Sequence, residues 1–143
     1  MIRKDRIVMS ASPHKVFVYG TLKPGGHYWP QFCEGKVSEV QPAMIRGELY
    51  DLHVGYPGVI LQGDGWVQGC LLTFPREADF LQLDVLEGYV PGREESKNEY
   101  NRLKVPSYTP EGETLGEVWA YEMTEATMQR YTGTRIESGY WAI

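Results

Sequence analysis

The chain has 143 residues, of which 14 are Lys or Arg and 19 are Asp or Glu, for a formal net charge of −5. This length suits one domain over residues 1–143, and a hydrophobic share of 42% excludes global disorder. The acidic balance without a basic stripe argues against nucleic acid, and no apolar run is long enough to span a membrane. Because residues 1–15 lack an apolar signal core, we expect a mature cytoplasmic protein.

Short apolar or alternating runs predict six strands, separated by turn signals rich in Gly and Pro. The predicted strands cover residues 16–19, 47–52, 58–61, 66–74, 100–105 and 116–121. The loop at residues 20–30 follows the first of them. The turn signal Gly63-Asp64-Gly65 lies between the third and the fourth, and indicates that these two strands form a hairpin.

Two helices are predicted. Pro75 suits the first turn of a helix, the following residues have apolar side chains at helical spacing, and Gly88 lies where a helix commonly ends. Residues 125–131 predict a short second helix, with Thr124 as its N-cap. Strands that do not alternate regularly with helices predict an α+β fold, which is compatible with a small closed or half-closed barrel.

Glu87 is the first candidate for chemistry, because it lies at the end of the helix beside Gly88. The negative end of the helix dipole and the apolar neighbours Val85 and Leu86 would both raise the pKa of its carboxyl group. A carboxyl of raised pKa is a better acid or base near neutral pH. The alternative is an ordinary solvated glutamate. Asp84, one turn earlier, shares the helix face, and we expect it to have a supporting role.

The turn after the first strand, Tyr19-Gly20-Thr21-Leu22, is the second candidate. A strand that runs into such a turn can leave several backbone N–H groups pointing outward, and these bind a carboxylate or an oxyanion. Gly20 would allow an unusual dihedral angle and the close approach of a ligand. The alternative is a plain loop, and the sequence lacks the Gly-Lys-Ser/Thr ending of a phosphate-binding P-loop.

The motifs together are more specific than either candidate alone. They are VFVYGTLKPGG, GELYDL, YPGVI, the V-x-G-x-L-L pattern from Val67 to Leu72, LDVLEGY and Y-N-R, in this order. In these motifs, over about residues 15–121, the chain resembles the gamma-glutamyl cyclotransferase-like superfamily, particularly its small gamma-glutamylamine cyclotransferase-like branch. The resemblance implies a compact mixed β-barrel with a few flanking helices.

The resemblance also implies which residues form the site. The family's substrate-binding loop corresponds to Tyr19, Gly20, Thr21 and Leu22, its acid/base glutamate to Glu87, and its Tyr-x-Arg pair to Tyr100 and Arg102. The link at residues 88–99 is longer and more charged than expected for compact members, so Tyr89 is the alternative to Tyr100. On this link we expect Arg93 and Lys97 to be solvated. The C-terminal segment RIESGYWAI could cover the barrel, line a pocket or form a dimer contact.

The implied reaction is an intramolecular attack of a gamma-glutamyl substrate's α-amine on its γ-carbonyl, which releases 5-oxoproline and an amine or amino acid. Glu87 would transfer the protons, and the resemblance implies neither a metal nor a cofactor. We therefore expect a cofactor-independent enzyme with a small-molecule partner, as a monomer or homodimer. Two alternatives remain: a related acyl-processing enzyme on a gamma-glutamyl-tagged metabolite, and a non-catalytic binding module.

Overall fold

The computed structural model describes residues 14–143. The strands are β1 (His14–Val18), β2 (Glu39–Arg46), β3 (Glu48–Asp51), β4 (Pro57–Ile60), β5 (Trp66–Phe74), β6 (Tyr100–Tyr108), β7 (Thr114–Met123) and β8 (Thr134–Arg135). The helices are α1 (Trp29–Phe32), α2 (Glu77–Glu87) and α3 (Glu125–Arg130), and a 3₁₀ turn covers Glu95–Lys97. The N-terminal expectation rests mainly on residues 1–13, which lie outside the described residues.

A closed five-stranded barrel is the centre of the fold, with strand order β1-β5-β2-β6-β7. Strand β1 is antiparallel to β5 but parallel to β7, where Val16 pairs with Trp119, so the barrel is mixed. A second sheet of order β4-β3-β8 lies outside the barrel ladder. The predicted α+β fold with a mixed barrel and a few helices is therefore confirmed.

From Val16 to Val18 strand β1 is buried on both faces, which explains its apolar sequence there. Val16 and Val18 belong to a cluster that includes Phe80 of helix α2. Phe17, on the opposite face, belongs to a second cluster built mainly from strands, which includes Ile45 of β2. Alternate residues of a strand point to opposite faces, so one short strand joins the two clusters. This packing on both faces fixes the position of the end of β1, where the loop at residues 20–30 begins.

The predicted hairpin between residues 58–61 and 66–74 is wrong, since these strands lie in different sheets. Strand β4 pairs with β3, while β5 pairs with β1 and with the unpredicted strand β2. Strand β2 contains Pro42, which pairs on one side with Cys70. On the other side β2 meets β6 only at Met44 and Tyr108, so the missing N–H of Pro42 interrupts no continuous ladder there.

The ends of helix α2 largely match the prediction. It begins at Glu77, two residues after Pro75, and Gly88 ends it in the left-handed conformation at φ 68°. The hydroxyl of Thr124 accepts a hydrogen bond from the N–H of Thr127 and so caps α3, as predicted. Within residues 14–143, no helix combines the length and the apolar character needed to cross a membrane.

The C-terminal segment, which the sequence left unassigned, covers part of the barrel. The N–H of Ile136 donates to the carbonyl of Leu49, and the carbonyl of Gly139 accepts from the N–H of Gln68. Trp141 packs against the strand cluster, and its carbonyl accepts a hydrogen bond from Nζ of Lys23. The segment does not line the cavity described below.

Candidate active site

A partly open cavity of about 240 Å³ lies where the end of β1, the end of α2 and the start of β6 meet. Its lining residues are Phe17, Val18, Tyr19, Gly20, Thr21, Leu22, Tyr28, Tyr56, Pro57, Leu86, Glu87, Glu99, Tyr100 and Tyr121. This volume is below the roughly 300–1,000 Å³ typical of pockets for drug-sized ligands. The cavity therefore suits a group of about the size of an amino acid. It brings both candidates from the sequence, the loop and Glu87, into one space.

The loop after β1 presents unpaired backbone donors. Within residues 14–143, the N–H groups of Gly20, Thr21 and Leu22 donate to no protein acceptor, whereas the loop's carbonyls are used. The carbonyl of Gly20 accepts from the N–H of Lys23 at 3.1 Å, and that of Thr21 accepts from the N–H of Tyr28 at 2.9 Å. All three residues line the cavity, and buried N–H groups are seldom left without a partner, so a ligand that accepts hydrogen bonds would complete their pairing.

Glycine is required at position 20 because of packing. A Cβ atom there would lie 2.8 Å from Cδ of Pro57, which is closer than real Cβ contacts. The φ of Gly20 is not positive, so the structure does not use the unusual dihedral angle that glycine would allow there. At Gly26, a Cβ atom would collide with the backbone carbonyl of Thr21, so this glycine lets the loop fold back on itself.

Glu87 is the last residue of α2, and the pKa of its carboxyl group is strongly shifted. Burial, then the negative charges of Glu99 and Asp84, raise its pKa from 4.5 to about 8. Of the two neighbours expected to desolvate it, Leu86 lines the cavity but Val85 is 74% exposed. Within residues 14–143 the carboxyl makes no hydrogen bond or ion pair, so it is free to act on a ligand.

Asp84 is tied into a buried network behind the cavity. It accepts two hydrogen bonds from the guanidinium of Arg102, at 2.7 and 3.1 Å, and one from the hydroxyl of Tyr121, at 2.6 Å. The guanidinium of Arg102 also stacks 4.4 Å from the ring centroid of Trp119. Asp84 is thus a supporting residue, as expected. Arg102 does not line the cavity. Its guanidinium binds Asp84 and is therefore not available to a ligand there.

Tyr19 and Tyr100 are buried and line the cavity, as does Tyr121. The hydroxyl of Tyr19 donates to the carbonyl of Tyr121 at 2.7 Å, and that of Tyr100 donates to the carbonyl of Pro57 at 2.8 Å. Burial raises the pKa of both hydroxyls well above the usual value, so they remain protonated and structural. Of the two alternatives, Tyr100 lines the cavity, whereas Tyr89 lies outside it, 5.3 Å from the guanidinium of Arg102.

Sequence reasoning missed a second carboxylate, Glu99, at the end of the charged link. One of its oxygens accepts a hydrogen bond from the hydroxyl of Tyr56 at 3.1 Å, and Tyr56 in turn lies 3.3 Å from the hydroxyl of Tyr131. No local signal separates Glu99 from the other acidic residues of the link. It reaches the cavity because its N–H donates to the carbonyl of Gly88 at 3.2 Å, which folds the link back onto the helix end.

Arg93 is exposed, as expected, and it also holds the same link together. Its Nε donates to the side-chain oxygen of Asn98 at 2.7 Å, and its Nη2 donates to the carbonyl of Gly88 at 3.1 Å. Asn98 is buried and also accepts from the N–H of Val90. Lys97 is exposed, as expected.

Comparison with known proteins shows the family to which the chain belongs. Residues 16–143 match the family described as gamma-glutamyl cyclotransferase, AIG2-like, and the chain belongs to this family. It is 28% identical over 133 residues to the gamma-L-glutamyl-butirosin B gamma-glutamyl cyclotransferase of Niallia circulans, covering 90% of this chain and 78% of that protein. Family and relative both support an enzyme of the cyclotransferase type.

Solved structures show the same fold. The crystal structure of an AIG2-like protein from Mus musculus superposes with a TM-score of 0.69 at 18% identity, over 92% of this chain and 89% of that one. YkqA from Bacillus subtilis superposes with a TM-score of 0.63 at 22% identity and covers 90% of this chain. This chain spans only 39% of the length of YkqA.

Proposed function

We propose that the protein is a cofactor-independent gamma-glutamyl cyclotransferase that converts a gamma-glutamyl amide into 5-oxoproline and a free amine or amino acid. The observation that carries the proposal is the shared cavity. Gly20, Thr21 and Leu22, whose N–H groups have no protein acceptor within residues 14–143, line it together with Glu87, whose carboxyl is unpaired. An anion site beside a carboxyl of raised pKa is the pair of functions that this reaction needs.

The loop amides bind the substrate's anionic oxygen in this proposal. None of the residues that line the cavity is a Lys or Arg, so no cationic side chain competes with the loop amides for a substrate carboxylate. The N–H groups of residues 20–22 therefore hold either the α-carboxylate or the oxyanion that develops on the γ-carbonyl. Tyr19 and Tyr100 shape the wall, and Thr21 and Leu22 complete the loop. The similarity to a cyclotransferase that acts on gamma-glutamyl-butirosin B supports the gamma-glutamyl class of substrate.

Glu87 moves the protons. Its carboxylate takes a proton from the α-ammonium, and the resulting amine attacks the γ-carbonyl carbon, which forms the lactam C–N bond. The tetrahedral intermediate then collapses as the amide C–N bond breaks, and Glu87 returns its proton to the leaving nitrogen. The lactam nitrogen gives up its second proton to the released amine, so charge and atoms balance. Because the attack is intramolecular, holding the substrate in a folded conformation supplies much of the rate.

Purified protein incubated with a panel of gamma-glutamyl amides and dipeptides, with 5-oxoproline measured by mass spectrometry, tests this proposal. Wild type should release 5-oxoproline, and Glu87→Gln should lower kcat by at least about 100-fold, the usual contribution of a general acid–base residue. Glu111→Gln, at an exposed turn, is the matched control. Full activity in Glu87→Gln would refute the role of Glu87. Hydrolysis without ring closure would point to another acyl-processing reaction, and binding without turnover to a binding module.

A further inference from the structure

Lys23 is a buried lysine that the proposed reaction leaves without a role. It is 3% exposed, and among residues 14–143 it is the only Lys or Arg that is buried. Its side chain does not line the cavity, and within the same residues no carboxylate lies within ion-pair distance of its ammonium. Desolvation lowers the pKa of this ammonium. Because burying a charge without a counter-charge costs free energy, a lysine at this position indicates a role other than stability.

The backbone of Lys23 closes the turn that carries the unpaired donors. Its N–H donates to the carbonyl of Gly20 at 3.1 Å, and its own carbonyl accepts from the N–H of Gly26 at 2.7 Å. The first of these hydrogen bonds spans residues 20–23, which is the pattern of a β-turn. The N–H groups of residues 20–22, which have no protein acceptor in the described part of the chain, belong to this turn. Their positions therefore depend on where Lys23 is held.

The side chain of Lys23 connects this turn to the C-terminal segment. Its Nζ atom donates a hydrogen bond to the carbonyl of Trp141 and lies 4.0 Å from the centroid of the Tyr140 ring. The face of a tyrosine ring attracts a cation, so both contacts hold the ammonium in place. Ile143 lies against the same loop, since a Cβ atom at Gly25 would lie 3.9 Å from its Cγ2 atom. The end of the chain thus lies directly against the residues that follow the turn.

The C-terminal segment is itself fixed to strands of both sheets. The carbonyl of Gly139 accepts from the N–H of Gln68 in β5 at 2.8 Å, and the N–H of Ile136 donates to the carbonyl of Leu49 in β3 at 2.8 Å. Glycine is required at position 139, because its φ is 73° and a Cβ atom there would collide with the carbonyl of Trp66. The segment therefore offers Lys23 an acceptor whose position is set by strands that do not carry the loop.

We propose that Lys23 is a positioning residue that fixes the turn at residues 20–23 to the C-terminal segment by binding the carbonyl of Trp141. It thereby sets the positions of the N–H groups that bind the substrate's anionic oxygen. Lys23 does not contact the substrate and transfers no proton, and the C-terminal segment acts on the loop through this side chain from outside the cavity. The effect on turnover rests on the proposed function, whereas the link between the segment and the loop is tested without it.

Lys23→Met tests the effect on turnover, because methionine keeps much of the length of the side chain but removes its charge and its donor. With the gamma-glutamyl amide that wild type converts fastest, kcat/KM should fall by at least about tenfold, since small displacements of binding groups slow a reaction strongly. The midpoint of urea unfolding should not fall, because a buried charge has been removed. Lys23→Arg keeps a charged donor that stacks on tyrosine, and it should retain at least about a third of the wild-type kcat/KM.

Lys36→Met is the matched control, because Nζ of Lys36 also donates to a backbone carbonyl, that of Gln31, but at an exposed site. It should leave kcat/KM unchanged. Full activity in Lys23→Met would overturn the inference. So would a loss of activity that accompanies a lower unfolding midpoint and that Lys23→Arg does not restore, because such a loss is purely structural.

Amide NMR spectra of the free protein give a readout that does not depend on turnover. Gly139→Ala should displace the C-terminal segment and, through Lys23, shift the amide signals of Gly20, Thr21 and Leu22. In the background of Lys23→Met, adding Gly139→Ala should leave those three signals where they are. Equal shifts in both backgrounds, or no shift in either, would overturn the inference. If wild type releases 5-oxoproline from no gamma-glutamyl compound, the proposed function fails, and these spectra still decide whether Lys23 couples the segment to the loop.

Discussion

Replacing Glu87 by Gln should make the protein's stability less dependent on pH. The pKa of Glu87 is about 8 in the folded protein and near 4.5 when the group is free in water. Between these values the folded protein keeps a proton that the unfolded chain releases. The stabilising contribution of this group is therefore fully present below about pH 4.5 and is lost as pH rises through about 8. Glutamine stays neutral throughout and avoids this loss.

The size of the effect follows from the same two pKa values. Each pH unit between them corresponds to about 1.4 kcal/mol, so the whole interval gives an upper limit of about 5 kcal/mol. The free energy of unfolding of Glu87→Gln should rise relative to wild type by up to about 1.4 kcal/mol per pH unit from pH 5 to 8, and level off above that. A constant offset from the new amide would not change this slope.

Urea unfolding followed by circular dichroism at half-unit steps from pH 5 to 9 measures the difference. Glu111→Gln, in which an exposed glutamate is replaced, should differ from wild type by an amount that hardly changes with pH. The reasoning would be refuted by a difference between Glu87→Gln and wild type that stays flat over this interval. Such a result would mean that Glu87 ionises like a solvated carboxyl group.

Two further results are expected. In initial-rate measurements, the ascending limb of the pH profile of kcat/KM should have its midpoint near 8 for wild type. In Glu99→Gln the midpoint should lie at lower pH, because removing the charge of Glu99 lowers the pKa of Glu87. An unchanged midpoint would contradict the coupling between the two groups. Asp84→Asn should lower the free energy of unfolding by about 3–5 kcal/mol, since Arg102 loses its buried partner. In urea unfolding at neutral pH, a loss below about 1 kcal/mol would show that this pair is not important for stability.

Several features of the site follow from local sequence. The apolar run before Tyr19 predicts a strand that ends at the loop, and Gly88 marks the end of the helix, which puts Glu87 at its C-terminus. A raised pKa of Glu87 was also expected there, from the helix dipole and from desolvation by Val85 and Leu86. Burial is the largest cause, whereas the contribution of Glu99 was not expected. Which charged residues lie next to Glu87 depends on how the chain folds back onto the helix end. Local sequence patterns do not show this.

Other features depend on contacts between distant segments. Position 20 requires glycine because Pro57, on another strand, packs against it. Arg102 has the alternation that places it on the same strand face as Tyr100, yet Asp84 holds its guanidinium behind the cavity. The hairpin predicted across Gly63-Asp64-Gly65 is wrong for the same reason: a turn signal reports a change of direction but does not identify the strand partner.

Local sequence patterns predict the α+β character, the ends of helix α2, and the order of the loop and Glu87 along the chain. These depend on side-chain periodicity and on the backbone preferences of Gly and Pro, which act over a few residues. Contacts between distant segments bring both candidates into one cavity and place Glu99 beside them. Barrel closure brings β1 beside β7, and the carbonyl of Gly88 folds the charged link back. The first contact joins strands that are far apart in the sequence, and the second spans an irregular segment. In neither case does a local sequence pattern identify which residues pair.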